Sequence, residues 1–207
     1  MRSADEKDRR MLEIEEAAYA LLSEVGCKAT SMLAIAKRAK ASNETLYRWY
    51  GNKQGLFARM VERNAEASIK ALETALQSGR PIGDVLDELG PALLQLVVGE
   101  RAVALNRAAA GDVHDSGQLG RLIAEGGRAR VEKLLAQVLG RYESLTCPAE
   151  TIAASYLDLL IGDIQVRRII GAADIPDESW IRERSDRAKR IAVLLMETGM
   201  QAPRARG

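Results

Sequence analysis

Apolar residues recur with a helical period along almost the whole chain. In the first segment they fall at i, i+3, i+4, i+7, i+8 and i+11 from Ile14 to Val25. This spacing predicts an amphipathic helix of about five turns. It begins after Asp5 and ends at Gly26, because glycine commonly terminates helices.

Two short helices and one long helix are predicted next. The first covers residues 32–39, with Thr30 or Ser31 placed to cap it, and the second runs from Ser42, a good N-cap, to residue 50. A longer helix is predicted from residue 53 to about residue 77. Two short helices separated by a tight turn are typical of a helix-turn-helix, here at about residues 31–50.

The stretch "SGRP", residues 78–81, separates this region from a second one. Gly90 and Pro91 leave two alternatives for the first helix beyond it, continuous or broken at this point. The predicted fold class is all-α, with an N-terminal domain at residues 8–68 joined by its fourth helix to a larger helical domain at residues 80–200. The helices predicted in the second region are residues 81–98, 100–110, 117–142, 148–170 and 177–198.

Charge is distributed unevenly along the chain. The 207 residues carry a formal net charge of only +1, so no general attraction to nucleic acid or lipid follows from the total. Between Lys28 and Lys53, however, Glu44 is the single acid against six basic residues, which leaves a local charge of +5. Such a patch beside a helix-turn-helix favours DNA binding.

Other classes of site find little support in the sequence. Cys27 and Cys147 are far apart and form no metal-type spacing, which favours two reduced thiols, although a disulfide remains open. His114 lies in a loop-like stretch and is interpreted as a solvated residue. No metal site, cofactor or catalytic residue is predicted. No signal peptide or membrane span is predicted either, so we expect a cytoplasmic protein.

One side of the second short helix carries the chemistry to read DNA. Asn43 and Tyr47 are four residues apart, as are Glu44 and Arg48, so these four side chains share an arc opposite Leu46 and Tyr50. We call these four residues the reading arc. An asparagine can pair with adenine, and a carboxylate can accept from the cytosine amino group. Arg48 can serve either a base or a phosphate.

The stretch "EEAAYALLSEVGCKATSMLAIAKRAKASNETLYRWYGNKQGLF", from Glu15 to Phe57, resembles the DNA-binding domain of the TetR family of bacterial transcriptional regulators. The resemblance implies phosphate contacts for Thr30 and Ser31 at the start of the second helix and for Lys53 at the start of the fourth. It implies that Thr45, with Asn43, Glu44 and Tyr47, faces the major groove, and that Trp49 flanks the groove.

Three residues depart from the pattern of that family. Lys40 replaces a glycine that is usual in the turn, so it must either adopt a left-handed conformation or reshape the turn. Ala41 replaces a larger apolar residue, and Leu33 lies where a polar side chain often reaches DNA.

The second region resembles the ligand-binding and dimerisation domain of one branch of the same family. The apolar run "IAVLLM", residues 191–196, independently predicts a helix that is buried on several sides and so favours a homodimer. The dimer interface is predicted to include Tyr156, Leu160, Ile164, Ile191 and Leu195. Polar residues on otherwise apolar helices are candidates for an effector pocket, although each also fits a surface or core role: Asn106, Arg107, Tyr156, Asp163 and Gln165.

These observations predict a ligand-responsive transcriptional regulator that is not an enzyme. By the resemblance, it is a repressor that binds a palindromic operator in double-stranded DNA as a homodimer and is released by an unidentified small molecule. The alternative is a helical protein-interaction module that does not read DNA sequence.

Overall fold

The computed structural model describes residues 2–114, 116–142 and 145–198. Every regular element in these residues is helical, which confirms the all-α prediction. The helices are α1 (Arg2–Ala29), α2 (Met32–Arg38), α3 (Asn43–Tyr50), α4 (Lys53–Ser78), α5 (Ile82–Val98), α6 (Glu100–Asp112), α7 (Gln118–Ile123), a π-helical segment (Ala124–Ala129), α8 (Arg130–Leu139), α9 (Ala149–Ile161), α10 (Ile164–Ile169) and α11 (Glu178–Thr198).

The chain divides into two compact units. The first contains the chain up to Ala65 together with Glu100–Gly127, and the second contains Glu66–Gly99 together with the described residues from Arg128 onward. Residues 100–127, which the sequence assigns to the second domain, therefore pack with the N-terminal helices. The limits of the functional domains stay a prediction.

In the first unit, α1 packs against both α2 and α6, and α2 packs against α3. The side chains that meet there are apolar and fully buried, as the helical period of the sequence requires. They include Ile14, Ala18, Ile35, Leu46, Leu56 and Met60, with Phe57 and Leu105 almost fully buried beside them.

In the second unit, α5, α9 and α11 pack together, and α8 packs against α9. Gly90 allows the close approach, because a Cβ atom at this position would lie 2.9 Å from both Ser185 Cβ and the Tyr156 hydroxyl oxygen. Helix α5 continues through Pro91 up to Val98, so the possible break there does not occur.

Two helices predicted as continuous are interrupted. Residues 117–142 form α7, the π-helical segment and α8, and the predicted last residue, Tyr142, lies beyond the end of α8 at Leu139. Residues 148–170 divide into α9 and α10 at Gly162, whose φ of 51° is left-handed. At the end of the first predicted helix, Gly26 has non-helical angles (φ 75°, ψ 177°), as its role as a stop predicts, although helical turns resume as far as Ala29.

Candidate nucleic-acid interface

Helix α3 is fixed at both ends by local contacts. The Ser42 side chain caps its N-terminus by accepting a hydrogen bond from the Thr45 backbone N–H at 3.0 Å. Gly51, with φ 75°, follows its last residue. Leu46 is fully buried and Tyr50 is buried, so one side of this short helix is held in the core of the first unit.

The opposite side of α3 is the reading arc, and the structure exposes all four of its residues: Asn43, Glu44, Tyr47 and Arg48. Half of the Tyr47 surface (49%) is open although the residue is aromatic. Trp49 and Thr45 are half-buried at its margins, and the Thr45 and Ser42 hydroxyl oxygens are 2.8 Å apart. The structure therefore exposes together the four side chains that their spacing along the helix predicted to share one side.

The two hydroxyl residues before α2 have different positions. Ser31 is exposed and caps α2, since its Oγ accepts a hydrogen bond from the Ala34 N–H at 3.1 Å, and its own proton can still be donated outward. Thr30 is fully buried, and its hydroxyl donates to the Gly26 carbonyl oxygen at 2.7 Å. The structure thus contradicts the placement of Thr30 at the DNA surface, because its hydroxyl satisfies the backbone at the end of α1.

Lys53 begins α4 and is half-buried. Its Nζ donates to the Cys27 carbonyl oxygen at 2.9 Å and lies 5.7 Å from the centre of the Phe57 ring. The pKa of the Asp112 carboxyl is held below its ordinary value. The main cause is a hydrogen bond from Ser116 Oγ at 2.6 Å, and the positive charge of Lys53 makes a smaller contribution in the same direction. A phosphate would have to replace or share the carbonyl contact of this ammonium group.

The basic patch is smaller in the structure than the count of charges suggests. Arg38 forms a two-pronged ion pair with Glu24 on α1, with nitrogen to oxygen distances of 2.5 and 2.6 Å. This contact lowers the pKa of Glu24 and raises that of Arg38. Glu24 lies outside the segment over which the charge was counted, so no local pattern indicated the pairing.

A buried ion pair lies among α1 and α4 in the same unit. Glu15 is 2% exposed, and one of its carboxylate oxygens is 2.9 Å from Nε of Arg63, whose Nη2 is 2.8 Å from Asp8 Oδ1. The other Glu15 oxygen, Oε1, is buried without a hydrogen-bond partner. Burial outweighs the attraction of Arg63 and raises the pKa of Glu15 to about 6.

The five candidate pocket residues are divided between the two compact units. In the first unit, Asn106 donates to the carbonyl oxygen of Ala102 on its own helix at 2.8 Å, and Arg107 lines an open groove of about 230 Å³ between α1 and α6. In the second unit, Tyr156 is fully buried, Asp163 is exposed and Gln165 is half-buried. The effector site and these candidate residues stay a prediction.

The predicted dimer residues also divide. Tyr156 and Leu160 are fully buried and Ile164 is 7% exposed within a single chain, so they offer little or no surface to a partner, and their place in the interface stays a prediction. Ile191 and Leu195 are half-buried and remain available. Periodicity identified an apolar helix but not which of its sides its own subunit covers.

The remaining predictions concern metals, thiols and membranes. In the part of the chain that the structure describes, no group of His, Cys, Asp and Glu side chains is arranged to hold a metal ion. His114 is exposed in the turn after α6, and the thiols of buried Cys27 and half-buried Cys147 are not joined. None of the described helices is both long enough and apolar enough to span a bilayer.

Comparison with known proteins agrees with this geometry. Residues 14–60 match the family model of bacterial regulatory proteins of the tetR family. Residues 84–194, more than half of the chain, match the model of the C-terminal domain of AefR-like transcriptional repressors. The chain belongs to the TetR family of transcriptional regulators. No curated protein matches it.

Several solved structures share its fold. A TetR transcriptional regulator from Agrobacterium tumefaciens is 26% identical, with 92% of this chain and 95% of that chain covered at a TM-score of 0.64. The flavonoid-responsive regulator FrrA is 25% identical over 93% of this chain and 100% of its own, at a TM-score of 0.63. The Bacillus subtilis regulator FadR, solved with stearoyl-CoA, is 14% identical over 90% of this chain and 99% of its own, at a TM-score of 0.65. At that identity the similarity shows a common fold and nothing more. TetR-family regulators bind DNA and are generally not enzymes.

Proposed function

We propose that this protein is a homodimeric repressor that reads a palindromic operator through α3 and leaves it when a small molecule binds. The observation that carries the proposal is the reading arc, because four exposed polar side chains stand on a short helix whose opposite side is buried. The match of the C-terminal region to a repressor family supports repression rather than activation. As a DNA-binding regulator it would act in the cytoplasm.

Within the proposed interface, each side chain takes the role that its chemistry allows. Asn43 offers a paired donor and acceptor to adenine, and Glu44 accepts from the cytosine amino group while being repelled by phosphate. Tyr47 and Ser31 donate hydroxyl hydrogen bonds to phosphate, and Arg48 contacts a guanine or a phosphate. Lys53 binds phosphate by exchanging its contact with the Cys27 carbonyl. Thr45 and Trp49 contact the margins of the groove.

We propose that two subunits associate through α9 and α11. These helices pack together in the second unit, and the apolar residues that they leave exposed are Leu159 (38%) and Leu194 (53%). Ile191 and Leu195 are half-buried beside Leu194 on the same helix. A two-fold dimer would set its reading helices roughly 34 Å apart, or a multiple of that, and the operator would be an approximate palindrome.

The effector is proposed to bind the C-terminal region and to favour a state in which the two reading helices are wrongly placed. Linkage requires the effector to weaken DNA binding by the same factor by which DNA weakens effector binding. The likeness to FrrA, a flavonoid-responsive regulator, makes flavonoids the first compounds to test. Thermal shift with a flavonoid panel, followed by operator titrations with any hit, measures both sides of this linkage.

Selection from a random DNA duplex pool tests the DNA-reading activity. We expect an enriched palindrome for which the logarithm of the association constant falls steeply with the logarithm of the salt concentration. In Lys53→Ala this slope should be smaller than in wild type by about the amount that one phosphate contact contributes. Lys70→Ala, which removes an exposed lysine further along α4, is the matched control and should keep the wild-type slope.

If no palindrome is enriched and binding depends only weakly on salt, the protein is a helical interaction module instead. If a palindrome is enriched but both lysine variants behave alike, the protein reads DNA without the proposed Lys53 contact.

A further inference from the structure

The turn between α2 and α3 contains a residue in an unfavourable conformation. Lys40 has φ 50°, and among the described residues no other non-glycine residue has a positive φ. A side chain with a Cβ rarely adopts this region, because the Cβ approaches the following carbonyl oxygen. The backbone therefore needs support from outside the turn to hold α3 at its present angle.

Arg10 on α1 supplies that support. Its Nη2 donates to the carbonyl oxygen of Ala39 at 2.9 Å and to that of Lys40 at 2.7 Å, although Arg10 and Lys40 are 30 positions apart in sequence. The same guanidinium pairs through Nη1 with Glu13, which orients it. Charge-assisted hydrogen bonds to two successive carbonyls fix the peptide plane between them, and a cation suits the C-terminal end of α2.

A second arginine bridge reinforces this arrangement. Arg38, the last residue of α2, pairs with Glu24 on α1 through both prongs of its guanidinium. Helix α1 thus holds the end of α2 at one side chain and at two backbone carbonyls. Both contacts lie directly before the helix whose exposed residues form the reading arc.

We propose that Arg10 is a positioning residue for DNA reading, which holds Lys40 in its left-handed conformation and thereby sets the angle of α3. This inference rests on the proposed function, since it is DNA recognition that the angle serves. Without Arg10, the turn would populate conformations in which α3 is misaligned. Operator affinity would then fall with the fraction of molecules that is still competent.

A double-mutant cycle isolates this role. Arg10→Ala should lower operator affinity about tenfold, the scale of a lost charge-assisted contact. In a Lys40→Gly background the same change should cost about threefold or less, because glycine adopts a positive φ without help. Lys40→Ala is the control for the lysine charge, since it keeps a Cβ, and it should leave the full cost of Arg10→Ala in place.

Arg9→Ala separates positioning from simple attraction to DNA. Arg9 is the exposed neighbour of Arg10, so its loss removes the same charge from almost the same place. Arg9→Ala should weaken specific and non-specific binding alike, whereas Arg10→Ala should lower the ratio of specific to non-specific affinity. A loss of the same size and kind in both variants would overturn the proposal.

Hydrogen exchange tests the turn without DNA. The Ala41 N–H donates to the Ala36 carbonyl oxygen at 2.9 Å, and this bond closes the turn. Arg10→Ala should speed exchange at Ala41 about tenfold, and Lys40→Gly should restore most of the protection. If exchange is unchanged, or if glycine restores nothing, Arg10 does not position the turn, even if the protein proves to bind an operator. If exchange responds as expected but no operator exists, the proposed function fails while the turn contact stands.

Discussion

The surface around α3 and the surface around α9 and α11 use polar and apolar side chains in opposite ways. On α3 the exposed residues are polar, and the buried ones, Leu46 and Tyr50, are held in the core. The second unit exposes Leu194 while it buries polar groups such as Ser185 and Arg168. Arg168 is only 7% exposed and donates to the Val98 carbonyl oxygen at 3.0 Å.

This difference shows why the two regions differ in how much their sequences reveal. Polar side chains on the outside of a short helix are free to serve a partner, and their spacing can be read directly from the chain. Polar side chains inside a helical unit are used to satisfy backbone carbonyls, as Arg184 does for Leu160 at 2.9 Å. A polar residue on an apolar helix therefore does not by itself indicate a ligand pocket.

The largest expected effect comes from removing the anchor of α3. Leu46 is fully buried, so Leu46→Ala should lower the free energy of unfolding of the first unit by about 2–5 kcal/mol and weaken operator binding. The control is Leu33→Ala, at a position 66% exposed, which should change stability by less than about 0.5 kcal/mol. The chain has two tryptophans, Trp49 in the first unit and Trp180 in the second. In a Trp180→Phe background, tryptophan fluorescence during denaturation therefore reports on the first unit. Equal losses in both variants would contradict the anchor role.

The next largest effect concerns the apolar surface of the second unit. Leu194→Arg places a charge where we propose that two subunits meet, and it should raise the dimer dissociation constant by about thirtyfold or more. Val113→Arg, at a position 63% exposed in the first unit, is the matched control and should leave association unchanged. Sedimentation velocity over a range of protein concentrations measures both. A wild-type monomer, or equal weakening by both arginines, would show that this surface is not the interface.

Local patterns predicted much of the first unit. The Ser42 cap, the burial of Leu46 and Tyr50 and the exposure of the reading arc follow from positions within one or two turns of a single helix. The left-handed conformation of Lys40 was one of two outcomes that the missing glycine allowed.

Contacts between distant parts of the chain were beyond the reach of such patterns. Thr30 has the composition of a phosphate contact, yet its hydroxyl is used by the Gly26 carbonyl, and Arg10 shows no local sign of its contacts 29 and 30 positions away. In the second unit, periodicity gave the helices but not which sides face inward. Tyr156 was therefore assigned to two sites, and the structure buries its side chain in the core of a single chain.

Glu15, like Thr30, is a polar residue that the first unit buries, and it predicts a pH dependence. Its pKa is raised by burial from 4.5 to about 6, so the folded state binds a proton more readily than the unfolded state. Glu15 therefore stabilises the folded state fully below about pH 4.5, and this stabilisation is lost as the pH rises through about 6. The free energy of unfolding should fall by about 2 kcal/mol over this range because of Glu15. Glu15→Gln should remove this contribution.

The measurement is the midpoint of thermal unfolding between about pH 2 and 7, which spans the titration of both carboxyls, followed through Trp49 in the Trp180→Phe background. Asp8→Asn is the control with the opposite sign. The hydrogen bond and charge of Arg63 lower the pKa of Asp8, so its stabilising effect is present above the unfolded pKa and is lost as the pH falls through the folded one. If wild type and Glu15→Gln have parallel profiles between pH 4.5 and 6, the carboxyl of Glu15 titrates normally.

The smallest expected effects give the sharpest test of the comparison, because the same change is made to one tyrosine in each unit. Tyr47 is 49% exposed, so Tyr47→Phe should alter stability by less than about 0.5 kcal/mol and lower operator affinity about three- to tenfold through the lost phosphate contact. Tyr156 is fully buried with its hydroxyl 3.5 Å from the Leu86 carbonyl oxygen, so Tyr156→Phe should cost about 1 kcal/mol of stability and leave operator affinity unchanged. Denaturation and operator titration of both variants measure the four quantities. If Tyr156→Phe weakens DNA binding as much as Tyr47→Phe does, the buried hydroxyl takes part in coupling to the reading helices, and the division between outward and inward polar groups no longer separates function from structure.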